Sequence, residues 1–257
     1  MINLDVLYKQ VVKIVRKAYK KSCKIKENKV ENKELNDIVT LVDKTMENKI
    51  TEQLSRLYPT HSFYGEEFGE KVNSSEYEWL IDPIDGTINF AAGIPLYGTS
   101  VALRKNKETI LGIMFDWENN DIYHAIKGKG AFKNKEKLKV SGRKNLNECV
   151  ISFCLTSHYE QKHIDDVLNI VRKLAPKVRG LRLIVCATTE LAWLASGKTD
   201  AMLNVKPSIG LSSCAGKLIV AEAGGKITNL KGKVREEKDT LLITNSIIHD
   251  EILKVIS

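Results

Sequence analysis

The sequence predicts an α+β chain of layered helices and sheets, and three observations carry that expectation. Two amphipathic helical periods open the chain, a series of short strand-like runs follows, and from about Val150 onward strand and helix alternate. Leu4, Leu7, Val11, Ile14 and Ala18 recur at helical spacing. So do Val42, Met46, Ile50, Leu54 and Leu57, in a segment that stops before Pro59. Strand-like runs follow at Ser62 to Tyr64, Trp79 to Ile81, Gly98 to Leu103, Ile110 to Phe115 and Ile122 to Ala125, so this half reads as helices on a largely antiparallel sheet. The second half alternates: a strand near Val150 to Phe153, a helix near Ile164 to Leu174, a strand near Leu181 to Val185 and a helix across Thr188 to Ala195. A strand at Ala201 to Val205 and a helix ending at Gly224-Gly225 continue an α/β layer. A soft boundary near residue 145 divides the chain into residues 1–145 and 146–257, two subdomains sharing a cleft.

The 257 residues include 40 Lys plus Arg and 32 Asp plus Glu, for a net charge of +8. With 43% hydrophobic and 28% charged residues, the composition excludes a disordered, collagenous or disulfide-scaffold protein. No apolar run is long enough for a membrane span, and the first residues lack the apolar core of a secretory signal, so a cytoplasmic protein is expected. Cys23, Cys149, Cys154, Cys186 and Cys214 are odd in number and contain no C-x-x-C pair, which favours free thiols over a zinc cage or disulfides. The denser basic stretches, Lys17 to Lys33 and Lys127 to Lys144, read as solvated faces. Nucleic acid is not indicated as a partner, because no interleaved aromatic pattern accompanies them. His61, His124, His158, His163 and His249 lack metal-ligand spacing. Trp79, Trp117 and Trp193 read as core or cleft walls, and Gly128 and Gly130 as a hairpin turn.

The most informative segment is WLIDPIDGTINF, Trp79 to Phe90. An apolar run ends in two carboxylates, Asp82 and Asp85, that straddle Pro83 and cannot both lie along a regular strand. A turn there can aim both at one point, which suits a hard divalent cation with oxygen ligands. It can equally be an Asx-type turn closing a strand. A helix beginning at Gly86-Thr87 would offer free N–H groups to a phosphate. Upstream, HSFYGEE carries Glu66 and Glu67, and DIVTLVDK opens a helix with Thr40 and Asp43. Downstream, CAGKLIVAEAGG is a helix with a small-residue first turn and a Gly-Gly end.

In this order and at these separations, the four stretches resemble the inositol monophosphatase family, within the lithium-sensitive, magnesium-dependent sugar phosphatases. The resemblance spans about Asp37 to Gly225. It implies a layered α-β-α-β-α sandwich, a homodimer, Mg²⁺ as cofactor and a small-molecule phosphate ester as substrate, with no membrane partner. It makes Glu66, Asp82 and Asp85 metal-binding carboxylates, with the carbonyl of Ile84 as a further ligand. Thr87 and Asp43 become the pair orienting the attacking water, with Glu66 also in the catalytic set. Asp85, Gly86, Thr87, Ala187, Asn204 and Ser212 fall at substrate-binding positions.

Two departures stand out. The family carries Trp-Asp ahead of the small-residue helix start, where Leu211 and Ser212 stand here, and an acid contacting the sugar hydroxyls, where Asn204 stands. Ser212 is a neutral and poorer ligand than a carboxylate. The loss of two charges, with Arg179, Arg182 and Lys206 in flanking segments, either weakens the site or suits it to a more anionic substrate. The leading expectation is hydrolysis of inositol monophosphate or fructose 1,6-bisphosphate. The alternatives are a 3′-phosphoadenosine-type nucleotide phosphatase and a catalytically weak relative acting as a binding or regulatory protein.

Overall fold

The helical stripe at the amino terminus forms α1, Leu4–Ser22, because Leu7, Val11, Val15 and Ala18 bury one face while lysines occupy the other. Asn3 caps it, its side chain accepting the N–H groups of Asp5 and Val6. The computed structural model describes residues 2–25, 30–34, 37–155, 159–208, 210–234 and 238–257; His158 lies outside them.

After α1 comes a hairpin of β1, Val30–Glu34, and β2, Asp37–Thr40, and then α2, Leu41–Leu57. Thr40 and Asp43 form a reciprocal capping box at the start of α2. Val42, Met46, Ile50 and Leu54 are buried as their spacing predicts, but Leu57, on the last turn, is 50% exposed.

An eight-stranded sheet follows, built from β3 (Ser62–Gly65), β4 (Gly69–Lys71), β5 (Tyr77–Asp85), β6 (Gly98–Lys105), β7 (Glu108–Asp116), β8 (Asp121–Ile126), β9 (Ala131–Lys133) and β10 (Glu136–Lys137). The one-turn helix α3, Thr87–Ala91, interrupts it after β5. Strand order is β10-β9-β8-β7-β6-β5-β3-β4, antiparallel except for the parallel pair β3 and β5. Gly128 and Gly130, both at positive φ, turn the chain from β8 to β9.

The second half contains β11 (Val150–Phe153), α4 (Gln161–Leu174), β12 (Gly180–Arg182), α5 (Ala187–Ala195), β13 (Ala201–Ser208), α6 (Ser213–Glu222), β14 (Lys226–Thr228), β15 (Asp239–Thr244) and α7 (His249–Ile256). Its five-stranded sheet runs β12-β11-β13-β15-β14. The strand expected over Leu181 to Val185 is shorter. The chain leaves the sheet after Arg182, where the carbonyl of Ile184 accepts the side-chain N–H of Asn89, 2.9 Å away, from the first half.

Three apolar clusters define the layers. One joins α1 and α2 to the eight-stranded sheet through residues such as Leu7, Met46, Trp79 and Ile113. A second runs through both halves, with Leu191, Ala195, Ala215 and Ile219 of α5 and α6 between Met114 of one sheet and Met202 of the other. A third packs α4 and α7 beneath the five-stranded sheet through Val167, Ile170 and Ile252. The order is therefore helix, sheet, helix, sheet, helix, the α-β-α-β-α sandwich. α5 and α6 are apolar on nearly all sides, as a central helical layer requires. Contact between α6 and β7 is intimate: a Cβ on Gly112 would lie 2.6 Å from the carbonyl oxygen of Ala215.

Among the described residues no helix is long and apolar enough to cross a membrane. All five cysteines are free.

Candidate active site

The DPIDG segment is not a turn after a strand but a bulge within one. Asp82 pairs with Ser100 and Asp85 with Gly98, so three steps of β5 oppose two of β6. The extra residue lets the side chains of Asp82 and Asp85 leave the regular alternation, and Pro83 has no N–H to forfeit there. The hydroxyl of Thr99 donates to the carbonyl of Pro83 at 2.6 Å and fixes the bulge from the neighbouring strand. Gly86 follows at φ +85, where a Cβ would meet the carbonyl oxygen of Leu96 at 2.8 Å. Thr87 then opens α3.

Asp82 is 2% exposed and its Oδ1 has no hydrogen-bond partner. Burial first, then the charges of Glu66 and Asp85, push its pKa well above the ordinary carboxylate value. Asp85 is also raised by burial, against the N–H groups of Thr188 and Ala187 at the start of α5, which hold its carboxylate. The single hydroxyl proton of Thr87 has two acceptors in reach, the carbonyl of Ile84 at 2.9 Å and Asp43 Oδ1 at 3.3 Å. Asp43 is 1% exposed and takes the N–H and hydroxyl of Thr40 on its other oxygen. Burial raises its pKa to about 6.

Asp85, Gly86, Thr87, Ala187 and Ser212 line one cleft of about 190 Å³ between the two halves, walled by Ile88, Cys154, Tyr159, Val185 and Cys186. Ser212 stands at the N-cap of α6 but its side chain makes no capping bond. Asn204 is not on that wall. Its Oδ1 accepts the N–H of Lys206 at 2.9 Å and lies 3.1 Å from the hydroxyl of Tyr159, so it supports Tyr159 from behind. Lys206 sits over the same tyrosine ring, its Nζ 5.3 Å from the centroid.

Several residues here were not legible as site components. Glu47 of α2, 1% exposed, accepts the N–H of Glu67 at 2.8 Å and of Phe68 at 3.0 Å, which fixes the chain beside Glu66. Gly65 makes room for it, since a Cβ there would lie 1.8 Å from Glu47 Oε1. Removing that acceptor with Glu47→Ala should cost about 2 kcal/mol, because two part-buried N–H groups lose an ionic partner. Thermal unfolding should show the loss, Glu47→Gln should recover part of it, and an unchanged melting temperature in the alanine variant would contradict the role. Cys186 sits with its Sγ 3.4 Å from Asp85 Oδ2. Burial raises its thiol, and pushes that of Cys154 up to about 12, so neither cleft cysteine is a ready thiolate nucleophile. Val185 holds φ +58, a strained conformation for a β-branched residue, at the cleft wall.

The donor set fits a hard cation. It consists of carboxylate and carbonyl oxygens, and one of those oxygens, on Asp82, is buried without a partner. Among the described residues no group of three or more His, Cys, Asp or Glu side chains is placed to hold a metal ion by itself.

The model of the inositol monophosphatase family matches residues 2–257. The chain belongs to that family. A fructose-1,6-bisphosphatase/inositol-1-monophosphatase of Aquifex aeolicus is 34% identical over 234 residues, covering 90% of this chain and 86% of the relative. A Nus factor SuhB of Pseudomonas aeruginosa is 35% identical over 210 residues, covering 79% of this chain and 76% of the relative. Among solved structures, the IMPase of Thermotoga maritima superposes with a TM-score of 0.87 at 30% identity, covering 98% of this chain and 96% of that one. The family and these relatives support a sugar phosphatase.

Proposed function

We propose that the protein is a Mg²⁺-dependent phosphomonoesterase that hydrolyses a small sugar or polyol phosphate, with inositol monophosphate and fructose 1,6-bisphosphate as the leading substrates. The observation that carries this reading is the convergence of Asp85, Gly86 and Thr87 on one cleft, beside the buried, partnerless oxygen of Asp82. Glu66, Asp82, Asp85 and the carbonyl of Ile84 would hold the cation. Bound there, Mg²⁺ would neutralise phosphate charge and make a water more acidic.

The chain's own groups do the rest. Gly86 and Thr87 line the cleft, where their N–H groups would donate to phosphate oxygens. Asp43 draws the hydroxyl proton of Thr87, which turns a lone pair of Thr87 Oγ1 toward the attacking water. That water's oxygen bonds to phosphorus as the ester P–O bond breaks, one of its protons passes to Thr87 Oγ1 as Thr87 gives its own to Asp43, and the sugar oxygen leaves with a proton from solvent. Thr188 and Ala187 keep Asp85 oriented through their N–H groups. Ile88, Val185 and Tyr159 exclude bulk water from one side.

Thr87→Ala should lower kcat about a hundredfold and move KM by less than about threefold, since the lost contact matters most in the transition state. Asp43 must be ionised to accept the proton, so activity in the parent should fall as pH drops through about 6. A change confined to KM would make Thr87 a substrate-positioning residue and overturn the water-orienting role.

A second reading has its own observation. Ser212 presents a neutral hydroxyl to the cleft where the family carries a carboxylate, and one relative bears the name Nus factor SuhB. On that reading the fold serves chiefly as a binding partner, and turnover is weak at any Mg²⁺ concentration.

A further inference from the structure

The chain's positive charge is not spread evenly. Leu4 to Lys24 holds seven basic residues against one acidic, and Lys127 to Lys137 holds five against one. Those 32 residues carry +10, so the remaining 225 net −2. The two stretches are about a hundred positions apart in sequence, yet the fold lays them side by side. Lys129 pairs with Asp5 at 2.5 Å at one end of α1, and Tyr8 stacks on His124 at 4.1 Å. Toward the other end, Arg16 donates to Asn120 at 3.3 Å and Tyr19 stacks on Trp117 at 3.7 Å. Helix α1 therefore runs along β8, with the β8–β9 turn at its amino-terminal end.

On the outer side of α1, Lys9, Lys13, Lys17 and Lys21 form a ridge at four-residue spacing, rising about 6 Å per step over about 18 Å. All four are exposed, and among the described residues none makes an ion pair. Lys135 and Lys137 are also exposed, on the hairpin. On that hairpin Lys127 and Lys133 are neutralised by Glu108 and Asp121. Lys49, Glu52 and Gln53 of α2 join Lys17 and Lys21 around a shallow groove of about 130 Å³.

We propose that this face binds the phosphate backbone of a nucleic-acid duplex without sequence preference. Asp5 lies near Lys9 and Glu52 near Lys17 and Lys21, but Asp5 is paired with Lys129 and Glu52 with Arg56, and a row of lysines outside any ion pair suits a regular array of phosphates, which binds by releasing counterions. Three of the side chains of α1 able to read bases are already engaged: Arg16 with Asn120, Gln10 with the hydroxyl of Tyr58, and Asn3 with the helix cap. A lipid surface is the poorer match. The apolar stripe of α1 is buried in the fold, and Val6 is the one large apolar residue of the helix exposed beyond a third of its surface. The face is separate from the cleft, so binding does not depend on phosphatase activity.

The test is fluorescence anisotropy of the full chain with two 20-base-pair duplexes of unrelated sequence, titrated over a range of salt. The expected result is equal affinity for both duplexes and a log–log salt slope of about −4, from four to five phosphates neutralised. Lys13→Glu with Lys17→Glu should weaken binding at least tenfold and flatten the slope by about 2. The control, Lys162→Glu with Lys177→Glu, makes the same change in net charge on exposed residues elsewhere and should shift affinity less than threefold. Equal weakening by both pairs would overturn the proposal, as would no duplex binding at low salt. Binding to phosphatidylserine vesicles in the absence of duplex binding would overturn it in favour of a membrane surface. Phosphate release by the Lys13/Lys17 variant should equal the parent's.

Discussion

Asp82→Asn is expected to cut phosphate release at least a hundredfold while making the metal-free protein more stable. Changes one layer out from a metal already cost ten- to a hundredfold, and this carboxylate would bind the cation directly. The stability gain has a separate cause. Asp82 is buried against Glu66 and Asp85, and its pKa is raised well above the unfolded value of 3.8. Such a group stabilises the fold fully below its unfolded pKa, and that contribution is lost as pH rises through the folded value. At neutral pH the ionised form is the costly one, and Asn keeps the shape without the charge. A gain of about 1 kcal/mol would raise the melting temperature by about 2–4 °C in a chain of this size. Adding Mg²⁺ should raise the parent's melting temperature more than the variant's. Near-normal turnover with saturating Mg²⁺, or an equal Mg²⁺ response in both proteins, would remove Asp82 from the cation site.

Ser212→Asp is expected to act in the opposite direction. Ser212 faces the cleft with an uncommitted hydroxyl, and a carboxylate there would add an anionic oxygen for a hard cation. The apparent Mg²⁺ affinity should tighten about tenfold, ligand charge being the main control on such sites. Added negative potential should also favour a monophosphate over a bisphosphate. A Mg²⁺ titration of phosphate release on both substrate types checks both effects. An unchanged midpoint would mean that position 212 does not reach the cation.

What could be read from the sequence follows physical lines. Helical stripes such as Leu7-Val11-Ala18 and the central strands were legible because burial imposes a period on the chain. The DPIDG segment announced itself because two acids around a proline fit no regular element, although its form as a bulge depends on the register of β6. Short edge strands such as β4 and β10 escaped because two or three residues hold no period. Glu47 reads as a solvent-facing acid on a helix, and only the return of Glu67 and Phe68 to its side chain makes it a buried anchor. Val185 gave no warning of its left-handed backbone, which arises as the chain leaves β12 and Ile184 reaches Asn89. The near-continuous apolar character of α5 and α6 was a usable signal for a helical layer between two sheets.

The central claim is that this cleft hydrolyses a small phosphate ester with the help of a divalent cation. Phosphate release by the purified protein, measured on inositol monophosphate, fructose 1,6-bisphosphate and a 3′-phosphoadenosine nucleotide across a Mg²⁺ titration, tests it most directly. The account predicts release from one or both sugar esters that rises with Mg²⁺ into the millimolar range, is abolished by EDTA and returns when Mg²⁺ is restored. Release indifferent to EDTA, or none from any of the three esters at any Mg²⁺ concentration, would contradict it.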